Sequence, residues 1–205
     1  PRTGYTYFNF DDPVVGGYEP HQVALRRAIS LAYDMPDEIR ILRKGQAIPA
    51  GDPRPLKATG ITYATSPMGA DHTAGLIVNP GLPADQFAQA SQESQIANAA
   101  CDASGFCQFL QPTIEEIAKY YSMFVGEDVT REQIADMAWR CLVDEWKFNA
   151  GAGFTKADDD LPACMKDEGV GPNHAMKFDV PADVIAAAKQ RFAPRDELYK
   201  LKATG

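Results

Sequence analysis

Apolar positions along the chain fall mostly at helical spacing. Leu25, Ala28, Ile29 and Ala32 share one face of a helix over 21–34, with Arg26 and Arg27 off it. Pro36 limits that helix, because the residue before a proline is pushed out of helical dihedrals. A second short helix fits Pro36–Lys44, with Gly45 as its stop. Residues 84–100 read as a helix with Asp85 near its start and a narrow face of Phe87, Ala90, Ser94 and Ala97. Thr113 and Glu116 make a capping-box pair, and Ile114, Ile117, Tyr121 and Phe124 form the stripe that follows, up to Gly126. Thr130 and Gln133 repeat the signal ahead of Ile134, Met137, Ala138, Cys141 and Leu142, a stripe running to about Phe148. Two antiparallel amphipathic helices joined by a short turn are expected there. A last helix is predicted over Ala182–Phe192, with Val184, Ile185, Ala188 and Phe192 inward and Pro194 closing it.

The remaining stretches lack such a period. T-Y-F-N-F near the N-terminus reads as a short strand, and D-D-P-V-V-G-G-Y-E-P as a turn. Residues 51–83 hold five prolines and read as a long loop, of the kind that is usually functional or disordered. Within it Ile61–Thr65 fits either a brief strand or the start of a helix. Residues 149–181 return to loop. The expected fold is mainly α: an irregular helical domain with long loops and a short N-terminal strand pair.

Composition narrows the function classes. The chain has 205 residues, 45% of them apolar, enough for one compact domain or two small ones. A net charge of -8 disfavours nucleic acid and anionic membranes as partners. No run approaches the ~18 apolar residues of a membrane span. Neither a charged-then-apolar leader nor an initiator Met opens the chain, which reads as a processed product or a subunit fragment. The four cysteines, at 101, 107, 141 and 164, form no C-x-x-C pair. That disfavours a self-contained zinc or iron-sulfur site and suits a reducing compartment. Cys141, inside a helical pattern, is expected to be a small buried thiol.

Candidate chemistry concentrates in N-A-A-C-D-A-S-G-F-C-Q-F-L-Q, residues 98–111. Asp102 accepts hydrogen bonds, Gly105 permits close backbone approach, and Cys107 offers a thiolate. From the residues alone, Asp102 is also read as an aspartate capping a turn and Cys107 as a free thiol. His72, in G-A-D-H-T, reads either as a hydrogen-bonded loop histidine or as a proton shuttle. Asp158, Asp159 and Asp160 lack the glycine and distal glutamate of a calcium loop and read as a solvated turn. No nucleophile elbow, Walker loop or dinucleotide fingerprint is present.

The D-x-x-G-F-C pattern resembles the D-x-x-G-L-C segment of the aldehyde ferredoxin oxidoreductases, the tungsten- or molybdenum-pterin enzymes. G-Q-A-I-P-A-G-D-P-R, the stretch K-A-T-G-I-T-Y-A-T-S-P-M-G-A-D-H-T-A-G, and F-T-K-A-D-D-D-L-P extend the likeness over about residues 44–205. The resemblance implies that Asp102, Gly105 and the Phe106 backbone hold a tungstopterin or molybdopterin. It implies that Cys107 ligates a [4Fe-4S] cluster, whose other three ligands come from elsewhere, and that the catalytic His72 handles a proton. It further implies a cytoplasmic chain that is the C-terminal cofactor-binding part of an aldehyde oxidoreductase and is not self-sufficient. The partners would be the remainder of the enzyme and ferredoxin. Residues 5–50, with G-G-Y-E-P-H-Q-V-A-L-R-R-A-I-S-L-A-Y-D, resemble instead a late segment of the periplasmic family 5 peptide-binding proteins of ABC transporters. The expected division is therefore a solute-binding-protein-like segment, 1–50, and a helical domain, 51–205. The alternative functions are a non-enzymatic peptide-binding or structural chain, or a composite sequence without a working site.

Overall fold

The computed structural model describes residues 12–32 and 51–203, with the side chains of 27–32 left aside. The chain divides into two units, Pro1–Ala50 and Gly51–Gly205. In the first, α1 spans Pro20–Ala32. Proline suits the opening turn, where its missing N–H would have no intrahelical partner. The Asp12 carboxylate accepts from the N–H groups of Val14 and Val15 in the turn ahead of it, and Arg26 Nη1 donates to the Val15 carbonyl at 2.6 Å. The strand expected near residues 5–10 and the helix expected at 36–44 lie outside the described residues.

The second unit is built around one helix. It contains α2 (Lys57–Thr65), α3 (Phe87–Ala103), α4 (Ile114–Val125), α5 (Arg131–Gly151), α6 (Ala163–Asp167) and α7 (Ala182–Ala187). Short 3-10 turns cover His72–Ala74, Ala84–Gln86, Gln108–Leu110, Pro172–His174 and Asp196–Lys200. Among the described residues there is no strand, only the isolated bridges Thr113–Lys202 and Val170–Met176. The mainly α fold is as expected.

Both capping boxes form. The Thr113 hydroxyl accepts from the Glu116 N–H while Glu116 reaches back to Thr113, and Thr130 and Gln133 do the same. Each satisfies two backbone donors that the first helical turn leaves orphaned. Gly126 ends α4 in the left-handed region at φ 77°. The predicted stripes are buried at Ile114, Ile117, Ile134, Ala138 and Leu142. Two expectations need correction. Phe124 is 89% exposed. At 3.6 residues per turn it sits about 80° around α4 from Ile114, on the margin of the apolar face. Cys141 is half-buried rather than buried, because its part of α5 borders a cavity.

Two apolar clusters hold the unit. One joins Ile96, Ala100 and Cys101 of α3 to α4, α5 and the tail residues Leu198, Tyr199 and Ala203. The other joins Ile61, Tyr63 and Ala64 of α2 to Ala88, Leu161, Phe178, Ile185 and Ala188. Between them α3 buries polar side chains: Ser91, Gln92, Glu93, Ser94, Gln95 and Asn98. Burying polar atoms is tolerable only with partners. Gln92 Nε2 donates to the carbonyls of Ala188 and Gln190, and its Oε1 accepts from the Phe192 N–H. Glu93 is met by Arg195 and Gln89. The undecided stretch Ile61–Thr65 is helical, buried throughout 58–65, and Thr62 and Thr65 return their hydroxyl protons to carbonyls four residues back. The last predicted helix is shorter than expected, ending at Ala187, with Ile185 and Ala188 buried as its spacing implied.

Candidate functional site

The 98–111 stretch folds as a helix end. Gly105 N–H donates to the Asp102 carbonyl at 3.1 Å and Phe106 N–H to the Cys101 carbonyl at 3.2 Å. Gly105 takes φ 76° between them. This pairing is the Schellman ending, which closes the last helical carbonyls and needs a residue that tolerates the left-handed region. A Cβ added at Gly105 would meet nothing within 4 Å, so within this chain its conformation, not crowding, requires glycine. Close approach occurs at Gly75 instead. There an added Cβ would stand 2.7 Å from Ser94 Oγ and 3.2 Å from the Gln95 nitrogen, so the 72–75 turn lies flat on α3.

Asp102 sits on the last turn of α3 and does not cap the bend. Its Oδ1 accepts from Gln108 Nε2 at 2.9 Å, and the same amide donates to the Thr73 carbonyl at 3.0 Å. Gln108 therefore ties the bend to the His72 turn. Partial desolvation beside the cavity pushes the carboxyl of Asp102, an exposed residue, above the ordinary aspartate range, against the lowering bond from Gln108. Asp102 lines a cavity of about 300 Å³ with Gln95, Asn98, Cys141, Glu145 and the Ser66–Met68 segment. That volume is at the small end of ordinary ligand sites. Glu145 is also pushed up, first by burial and then by the Asp102 charge. Two anchors hold the 65–67 wall onto α5: Trp146 Nε1 donates to the Thr65 carbonyl and Asn149 Nδ2 to the Pro67 carbonyl, each at 2.7 Å.

Cys107 is exposed and free, and neither it, Gly105 nor Phe106 lines the cavity. The Phe106 N–H is used within the bend, its carbonyl accepts from Cys101 Sγ at 3.3 Å, and its ring lies 5.8 Å from that of Tyr120. Cys101 is buried, and its thiol is pushed up to about 11, first by burial and then by Asp102. His72 is half-exposed, with Nδ1 3.6 Å from Asp71 Oδ1, on a turn whose Ala74 lines the cavity. Asp71 itself is held below the ordinary range by the backbone and hydroxyl of Thr73. The structure thus brings Asp102 to a cavity, sets His72 on a turn joined to the same bend, and leaves Cys107 facing out.

The three aspartates at 158–160 go to separate partners: Asp158 to Thr155, Asp159 to Lys189 and Asp160 to Lys166. Among the described residues no group of three or more His, Cys, Asp or Glu converges as a metal site. None of the described helices is long and apolar enough to cross a membrane.

A family model described as aldehyde ferredoxin oxidoreductase, domains 2 & 3, matches residues 27–192. The chain belongs to this family. The match spans the bend, the His72 turn and all but the end of the helical unit. It begins inside the 5–50 segment that carries the solute-binding-protein likeness and stops before the Asp196–Lys200 turn. No curated protein and no solved structure matches the chain.

The cavity also holds residues that motif reading passed over. Gln95 and Glu145 belong to none of the motifs or apolar stripes that the sequence shows. They line the cavity because of which helix faces meet, and no local signal in the sequence marks that.

Proposed function

We propose that the helical unit is the pterin-binding part of an aldehyde oxidoreductase that uses a tungsten or molybdenum pterin. The observation that carries this reading is the placement of Asp102, on a conformationally closed helix end, at the wall of a ligand-sized cavity. The residues present fit such a group. A carboxylate there accepts N–H donors from a planar heterocycle, and Gln95, whose side chain helps line the cavity, keeps a buried amide oxygen without a protein partner.

When bound, the metal-pterin supplies the oxidation of an aldehyde to a carboxylic acid. The chain's own side chains bind and orient. Asp102 holds the heterocycle, and Gln108 fixes the Asp102 carboxylate while locking the bend to the His72 turn. The Nδ1 of His72 faces Asp71, which leaves Nε2 to take or release a proton. Cys107, directly after the bend and outside the cavity, would supply one thiolate to a [4Fe-4S] cluster whose other three thiolates would come from the rest of the enzyme. Ferredoxin, in the cytoplasm, would be the electron acceptor.

Metal and iron analysis of the chain co-expressed with the remainder of the enzyme and its cofactor machinery tests this. Tungsten or molybdenum is expected with iron. Asp102→Asn should lower the pterin content and Cys107→Ser the iron. A sample holding no tungsten, molybdenum or iron would overturn the reading.

A further inference from the structure

A second cavity, of about 520 Å³, shares Ser66, Pro67 and Met68 with the Asp102 cavity and holds none of Asp102, His72 or Cys107. Its volume falls within the range of ordinary small-molecule sites. The walls come from the end of α2, the 66–69 segment, the last turns of α5 and the loop after it, together with Lys189. Trp146 and Asn149 of α5 donate to the carbonyls of Thr65 and Pro67, and these bonds fix the spacing of two of the walls.

Three aromatic side chains, Tyr63, Trp146 and Phe154, line the cavity beside Met68, Pro67 and Ala150. Phe154 is 62% exposed and Met68 55% exposed, so two large apolar side chains stay open to solvent at this one place. The charged groups of the lining are two lysines and two aspartates. Lys189 Nζ donates to both oxygens of Asp159, at 2.8 and 3.0 Å, and stands 5.3 Å from the centre of the Trp146 ring. That pair is settled against the indole. Asp158 Oδ2 accepts from the N–H and the hydroxyl of Thr155, at 2.7 and 3.0 Å. Of the four charged groups, only Lys156 has no hydrogen bond or ion pair among the described residues. It is exposed, and its ammonium rides on a flexible four-carbon stem, so it can meet an anion at the cavity without a change of backbone.

We propose that this cavity binds an aryl carboxylate, with the ring among Tyr63, Trp146 and Phe154 and the carboxylate on Lys156. Burial of the ring supplies most of the affinity. The charge-assisted bond to the ammonium sets the preference for an acid over a neutral or cationic analogue. A cationic ligand would face Lys156 and find Asp159 already engaged. The site uses nothing of the pterin reading beyond the shared 66–68 segment, and it stands or falls apart from that reading.

The test is equilibrium titration of the full chain with phenylacetate, phenethyl alcohol and phenethylamine, followed by calorimetry and by tryptophan fluorescence, Trp146 being part of the lining. The acid is expected to bind about five-fold or more tighter than the alcohol, with the amine weakest. Lys156→Ala should weaken the acid by about five-fold and leave the alcohol unchanged. Phe154→Ala should weaken acid and alcohol alike, by about five- to ten-fold. Both side chains are exposed, so neither change is expected to disturb folding, and thermal melts check it. Lys147→Ala, from an exposed pair with Asp144 outside the lining, should bind the acid as wild type does. Absence of saturable binding of the acid to wild type would overturn the inference. So would alcohol or amine binding as tight as the acid, or an acid affinity untouched by Lys156→Ala. Metal and iron content and the Asp102 variant decide the pterin reading separately, so neither failure entails the other.

Discussion

Replacing Gly60 with alanine should weaken the protein, although helix propensity argues the opposite. In an exposed helix interior, alanine is favoured over glycine by about 1 kcal/mol. Gly60 lies within α2, and its missing side chain is where the Phe178 ring packs. A Cβ there would stand 2.7 Å from Phe178 Cδ2, closer still to Cε2, and 3.0 Å from Pro53 Cβ. Phe178 is 1% exposed and shares its cluster with Ile61, Ile185 and Ala188, so the ring has no solvent to swing into. Overpacking of this kind costs roughly 1–3 kcal/mol, and the contact here is closer than any flexible tip would relieve. Crowding therefore outweighs propensity, and a net loss of about 1–2 kcal/mol is expected. For a unit of this size that lowers the melting temperature by about 3–6 °C. Circular dichroism melts and urea midpoints measure it. Phe178→Leu in the Gly60→Ala background should recover part of the loss, with a coupling above about 0.5 kcal/mol in the double-mutant cycle. An alanine variant that melts at or above the wild-type temperature would refute the packing argument.

Other expectations test the site and the buried polar layer. Asp102 and Glu145 are both held above their ordinary values of 3.8 and 4.5. The folded chain thus keeps protons the unfolded chain has lost. Their contribution to stability is full below those ordinary values and is lost as pH rises through the raised folded ones. Asp102→Asn with Glu145→Gln should flatten the fall in stability over that window. Urea unfolding at a series of pH values decides it, an unchanged slope counting against the burial argument. Iodoacetamide at mildly alkaline pH should label Cys107 and Cys164, both exposed, well before Cys101, whose thiol is pushed up to about 11. Peptide mapping that found Cys101 labelled first would contradict the placement of the bend. Arg195→Ala strands the buried Glu93 carboxylate, whose remaining side-chain partner is Gln89 at 3.1 Å. Partial exposure of the arginine keeps the expected cost near the low end for a broken pair, about 2 kcal/mol. Adding Glu93→Gln should return part of it in chemical denaturation, and no recovery would mean that packing, not charge, sets the loss.

The legible parts of this fold are those whose chemistry is local. Thr113 with Glu116, and Thr130 with Gln133, satisfy donors within one turn, so the sequence marks the starts of α4 and α5 without reference to anything distant. The Schellman ending at Gly105 is local in the same sense, but the sequence reading gives that glycine a close backbone approach, and the structure uses it for its positive φ instead. α2 was undecidable because its merits are tertiary. Its glycine and β-branched residues are poor helix formers alone, and they belong there because Phe178 needs the gap at Gly60. The tail hid Leu198 and Tyr199 in the charged run D-E-L-Y-K, yet both are buried, and their turn packs against α3 and α4.

The polar face of α3 carries the argument furthest. A run such as Q-A-S-Q-E-S-Q reads as solvent-facing, and in water each amide would be satisfied without a neighbour. Buried, each must find a specific donor or acceptor, and most do: Gln92 at the α7 end, Glu93 at Arg195, Ser91 at Thr62. Gln95 departs from that rule at Oε1, which among the described residues is the one buried side-chain N or O atom without a partner.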